Sequence, residues 1–177
     1  FDKKKIKRIN LSTTVCTNAI VKGEVSKVGM LIQSGPGLNV EFLSCGDDNK
    51  IITGSIDHRG RIVKDLDIDE IERGIRSFKN NNIETCGVVT KFSTRNPSHE
   101  KRIKDLASEE FKYITMGHSM SGKLNFPRRI YTTYLNSAVY DTFNKFANSV
   151  KTSLEKQGIY APVYILKADG GTMGIDL

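Results

Sequence analysis

Residues 67–92 read DIDEIERGIRSFKNNNIETCGVVTKF, and this stretch decides the fold class. Asp67 and Glu70 have capping-box spacing, and Ile68, Ile71, Ile75 and Phe78 follow at steps of 3, 4 and 3, one apolar face of a helix. Residues 85–92 are then almost continuously apolar, the pattern of a strand covered on both faces. A helix that feeds such a strand needs a crossover, so the expected class is α/β, with a mixed, largely parallel sheet and flanking helices.

Toward the N-terminus, residues 6–11 read as a strand that leads into Ser12, Thr13 and Thr14, whose hydroxyls suit the first turn of a helix stopping at Gly23. Residues 28–33 are a compact apolar strand ended by the turn cluster Ser34-Gly35-Pro36-Gly37. Segments 51–56 and 61–66 flank Asp57-His58-Arg59-Gly60 as a β-hairpin. Toward the C-terminus, Asn96 and Pro97 open a helix with Ile103, Leu106 and Ala107 as its buried stripe, and residues 113–116 form a strand. A long helix follows from about 127 to 157. Its apolar side is marked by Ile130, Tyr134, Leu135, Ala138, Val139, Phe143, Phe146, Val150 and Leu154. At ~1.5 Å per residue it is on the order of 45 Å long, more than a small domain needs, so it bridges two lobes or packs in a partner. Residues 163–166 read as a final buried strand, and Asp169-Gly170-Gly171 as a sharp turn.

A chain of 177 residues makes one ordinary domain or two small ones, and 38% hydrophobic with 27% charged residues excludes a disordered tail or a fibrous repeat. No apolar stretch approaches the ~20 residues that span a bilayer, so no membrane partner is expected. Phe1, with no initiator Met before it, is not expected to be the start of translation. Of the net charge of +7, +4 sits in residues 1–8. The diffuse remainder is not the clustered stripe of a nucleic-acid surface. Cys16, Cys45 and Cys86 are odd in number and unclustered, which fits reduced, packed thiols in the cytoplasm, and no paired His or Cys spacing calls for a metal.

Several segments offer chemistry. Residues 117–124 nearly fit a phosphate-binding loop, but Leu124 stands where a magnesium-binding hydroxyl is needed and Pro127 removes an amide, so they read as a polar loop before a helix. Asp169-Gly170-Gly171 suits either close approach to a phosphate or a tight turn. Thr13, Thr14, Thr17 and Asn18 put hydroxyls and an amide on the first turns of one helix. Capping explains one or two of them, and binding of an anion or a carbonyl explains the group. Arg128 and Arg129 oppose the dipole of the long helix and read as solvated cations or as contacts for an acidic partner. His118 reads either as a polar loop residue or as a base.

Five segments in order resemble the hydantoinase A / 5-oxoprolinase family, which includes ketone carboxylase subunits. They are TTVCTNAI (13–20), DHRGRIVKDL (57–66) with the following helix, FSTRNPSHE (92–100), TTYLNSA (132–138) and YILKADGGTM (164–173). The resemblance covers nearly the whole chain. It implies an actin- or sugar-kinase-like (ribonuclease H-like) scaffold and a parent enzyme that uses ATP and magnesium to open a cyclic amide such as hydantoin or 5-oxoproline. The family's two phosphate loops fall on either side of this chain, so residues 1–177 are expected to be an internal piece with a possible sub-boundary near 118–127. That piece would supply substrate-side walls and bind no nucleotide or metal itself. The expected substrate-side residues are Thr13, Thr14, Thr17, Asn18, His118, Asn136 and Asp169, with no general base assigned. The expected partners are the small cyclic amide and either a second copy or a second hydantoinase-type subunit. A non-catalytic docking module built on the long helix is the alternative.

Overall fold

The computed structural model describes residues 2–167 and 169–176. In chain order the elements are β1 (Ile9–Leu11), α1 (Val15–Lys22), β2 (Val28–Gln33), β3 (Asp48–Ile51), β4 (Ser55–Ile56), β5 (Ile62–Lys64), α2 (Ile68–Asn80), β6 (Thr85–Thr90), α3 (Ser98–Ala107), β7 (Tyr113–Met116), α4 (Gly117–Met120), α5 (Phe126–Lys156), β8 (Val163–Leu166) and β9 (Thr172–Gly174). Two units emerge: a central one, Ser26–Ala138, and a terminal one, Phe1–Val25 with Val139–Leu177. The segment 118–127 lies inside the central unit, and the first part of α5 belongs to the central unit while its remainder belongs to the terminal one.

The central unit is a four-stranded parallel sheet in the order β3-β2-β6-β7. Every residue of β2 and β6 is buried, because helices cover both faces. On one face α2 lies close: a Cβ at Gly29 would stand 2.5 Å from Phe78 Cδ2, so only glycine lets the ring seat on the strand. Leu31, Ile71, Ile75, Phe78, Val88, Ile103 and Phe111 fill that layer, with Phe78 and Phe111 meeting edge to face at 6.2 Å. On the other face a Cβ at Gly87 would collide with the Met30 sulfur and lie 3.1 Å from Thr133 Cγ2, so α5 also approaches closely. Its buried stripe there is Phe126, Ile130, Thr133 and Ser137, at steps of 4, 3 and 4. Ser137 Oγ donates to Thr115 Oγ1 at 2.7 Å.

Several sequence expectations change. Asp48–Ile51, unremarked in sequence except for Ile51, is a parallel edge strand that pairs Ile51 with Ile32. The hairpin is therefore only β4 with β5, because Gly54 at φ +136° breaks the chain between β3 and β4. On α3, Leu106 is exposed, and the stripe that faces the sheet is His99, Glu100, Ile103 and Ala107. On α5, Leu135 is exposed and the small hydroxylated residues go inside, where close packing has no room for leucine. Residues 117–120 are one helical turn and not a loop.

The terminal unit has a three-stranded sheet, β1-β8-β9, with β1 parallel and β9 antiparallel to β8. Its core gathers Leu11, Phe143, Phe146, Ala147, Val150, Ile165, Met173 and Ile175. Strand β8 is therefore not the last, and only its Ile165 is buried. Arg8 of the basic N-terminal stretch lies 4.3 Å over the Tyr164 ring and donates to Thr172 Oγ1. No helix among the described residues is long and apolar enough to cross a membrane.

Candidate functional site

In the order β3-β2-β6-β7 successive strands are added first to one side of β2 and then to the other, so the strand order reverses between β2 and β6, and parallel sheets bind ligands outside the strand ends at such a switch point. Gln33 and Thr90 are the register partners that end these two strands. Around them gather groups seldom buried together: Gln33, Thr90, Ser93, His99, Glu100 and Arg129, none more than 3% exposed. A cleft of about 530 Å³ lined by Ser34, Gly35, Thr53, Gly54, Ser55 and Lys64 opens beside the end of β2. Phe92, at φ 64°, turns the chain out of β6 in a backbone region costly for a bulky residue.

Glu100 reaches this cluster because His99 and Glu100 occupy the inward stripe of α3. Its Oε1 accepts from Thr90 N at 2.8 Å, and its Oε2 accepts from His118 N at 2.8 Å and pairs with His118 Nδ1 at 2.6 Å. The His118 side chain is 19% exposed. Beside it, Gln33 Nε2 lies 2.7 Å from His99 Nδ1, and burial depresses the basicity of the His99 ring below the ordinary histidine value. Arg129 donates from Nη2 to Thr90 O and from Nη1 to Lys123 O. Burial pushes its guanidinium down from the usual value, and the charge of Glu100 opposes that shift. Among the described residues Gln33 Oε1, Thr90 Oγ1, Ser93 Oγ, His99 Nε2 and Arg129 Nε have no hydrogen-bond partner. So many incomplete polar groups at one strand end mark a place that ordered water or a ligand completes.

The residues expected from sequence fall in different places. His118 is part of the cluster. Asn136 is not: its Nδ2 lies within hydrogen-bond range of Thr115 Oγ1 and Tyr113 OH, between α5 and β7. Thr13 accepts from Val15 N as a turn hydroxyl, Asn18 Nδ2 donates to Thr14 Oγ1, and Thr17 is exposed on α1. These four lie in the terminal unit, as does Asp169. Asp169 forms the β8–β9 turn, with Oδ1 accepting from Gly171 N and Oδ2 paired with Lys167, and these bonds hold its carboxyl below the usual range. Arg129 overturns the expectation of two solvated arginines, since only Arg128 is exposed. Sequence reading missed Glu100, His99 and Gln33 as site residues. Their signal was positional: His99 and Glu100 lie four and three residues before Ile103 on its own stripe.

Leu124 is exposed at the position where a phosphate-binding loop carries a ligating hydroxyl, and the Asp169 carboxylate is bonded to Gly171 N and Lys167 within its own turn.

A parallel sheet covered on both faces, with a polar cluster at its switch point, is the open α/β architecture. More narrowly, the chain belongs to the hydantoinase/oxoprolinase family: the family's N-terminal region model matches residues 1–111, and its hydantoinase/oxoprolinase model matches residues 129–177. It is 23% identical to the acetophenone carboxylase gamma subunit of Aromatoleum aromaticum, over 94% of this chain and 27% of that one. It is 23% identical to caprolactamase subunit alpha of Pseudomonas jessenii, over 90% and 26%. The fold is similar to the crystal structure of the ATP-dependent caprolactamase from Pseudomonas jessenii, with a TM-score of 0.77 at 22% identity, over 91% of this chain and 26% of that one. It is also similar to the nucleotide-free structure of acetone carboxylase, with a TM-score of 0.80 at 16% identity, over 95% and 28%. The chain spans about a quarter of the length of these curated relatives.

Proposed function

We propose that this chain is part of an ATP-dependent enzyme that opens a cyclic amide of the hydantoin, 5-oxoproline or lactam type, and that it supplies substrate-side walls. The observation that carries the reading is the match of both family segments in chain order along the sequence. In this reading ATP and magnesium are held by parts of the whole protein outside this chain, which fits Leu124 standing where a ligating hydroxyl would be needed and Asp169 bonded within its own turn. His118 at the strand ends, and Thr17 and Asn18 on α1, are the side chains we assign to the substrate side, each on its own unit. The relatives are named as subunits, which supports assembly with a partner subunit; assembly with a second copy is the alternative, and the cytoplasm is the location we assign.

The test is ADP formation by the full-length protein, offered hydantoin, 5-oxoproline and caprolactam in one series and acetone and acetophenone with bicarbonate in another. Release of ADP coupled to ring opening supports the reading. ADP formation only with ketone and bicarbonate moves the protein to the carboxylase branch, and none with either series overturns both.

A further inference from the structure

We propose that His118 is a general base, acting through Nε2, and that Glu100 is the positioning residue that makes it one; this rests on the cyclic-amide reading above.

The arrangement leaves the ring little freedom. The Glu100 side chain has no solvent exposure, and taking a carboxylate out of water costs several kcal/mol unless hydrogen bonds replace its hydration. Its three contacts do so, and two of them hold His118, by its amide and by its ring. Gly117, just before it, has no room for a side chain. A Cβ there would stand 2.8 Å from Val89 Cγ1 and 3.1 Å from Glu100 Oε1, so the backbone is pressed onto the carboxylate. In the proposed base the Nδ1–H donates to Glu100 Oε2, 2.6 Å away, and the lone pair lies on Nε2. Unlike Glu100, the His118 ring is partly open. Thr90 ties the pair to Arg129, because its N–H donates to Glu100 and its carbonyl accepts from the guanidinium. That brings the Arg129 cation to the same strand end as the carboxylate.

The step takes up the amide after its oxygen has received the phosphoryl group of ATP, as the reading above requires. Water attacks that carbon: a C–O bond forms, the C=N π pair moves to the ring nitrogen, and the water O–H bond breaks with its proton going to Nε2. The imidazolium, facing the Glu100 carboxylate, returns that proton to the ring nitrogen as the C–N bond breaks, and the acyl phosphate left behind is cleaved by a second water to carboxylate and inorganic phosphate.

The test uses full-length protein with isotope-labelled histidine, and His118→Gln and Glu100→Gln variants. Solid-state NMR assigns the His118 signal as the one lost in His118→Gln. The expected result is a neutral ring with its proton on Nδ1, shifted toward Nε2 in Glu100→Gln. In steady-state ring opening, His118→Gln should lower kcat by about 100-fold or more with KM unchanged. Glu100→Gln should give the same pattern to a smaller extent. A proton on Nε2 in the parent protein, or turnover by His118→Gln at the parent rate, overturns the proposal. If the parent protein opens no cyclic amide, the functional reading falls, while the tautomer still decides for or against the positioned base. Should Glu100→Gln not fold, His118→Gln at the partly exposed ring decides alone.

Discussion

Two regions of this molecule use similar polar side chains for opposite ends. At the start of α1, Thr13, Thr14, Thr17 and Asn18 satisfy a turn, pair with each other or face water. At the ends of β2 and β6, Gln33, Thr90, His99, Glu100 and Arg129 are buried away from bulk solvent and depend on one another for partners. A hydroxyl lost from the first region can be replaced by solvent. A partner lost from the second strands a buried charge, and low local dielectric magnifies the cost. The difference teaches where a sequence change is felt. The thiols read the units separately, since Cys16 lies on α1 and Cys86 within β6, and burial raises both above the ordinary thiol value.

The hardest way to break the contrast is Glu100→Ala. It removes three hydrogen bonds and leaves Arg129 without its counter-charge, so the central unit should lose about 3–5 kcal/mol. Cys86 labelling during urea unfolding measures it, and Cys16 labelling should move less. Next comes Gly29→Ala, which forces a methyl into Phe78 and should cost about 1–3 kcal/mol by the same readout. A loss under half a kcal/mol would mean that α2 can retreat from the sheet.

A pH series sharpens the comparison further. His99 is less basic when folded than the ordinary value of 6.5, so below that pH the unfolded chain binds the extra proton. Stability should therefore fall as pH drops from 6.5 toward the lower folded value, and His99→Gln should flatten that fall. The smallest effect is expected at α1. Thr13→Ala should cost about 0.5–1 kcal/mol as a lost turn bond, and Thr17→Ala less than about 0.5. If Thr17 nonetheless handles substrate, turnover falls while stability stays, which separates the two roles.

The strands β2, β6 and β7 and the helix α2 were legible because hydrophobic periodicity depends on neighbours along the chain. Asp67 shows it: its side chain accepts from Glu70 N, as the capping spacing predicts. Strand β3 was not legible, since Asp48-Asn49-Lys50 carries no strand signal, and its pairing with β2 and the bonds of Asp48 to Ser77 and Asn81 on and after α2 come from distant segments. The candidate site was legible in one residue, His118. Glu100 entered only as part of a family motif and Arg129 as a solvated cation or a contact for an acidic partner, because nothing local says that α3 and α5 turn those positions inward.

By itself, then, the sequence determined the class, a parallel α/β sheet, and the family whose motifs it carries in order, since both are written in local spacing. Only the tertiary structure decided that Glu100, His118 and Arg129, which stand on three different helices, would gather at one strand end. Burial and pairing belong to the surroundings of a residue, and those are supplied by segments that come together only when the chain folds.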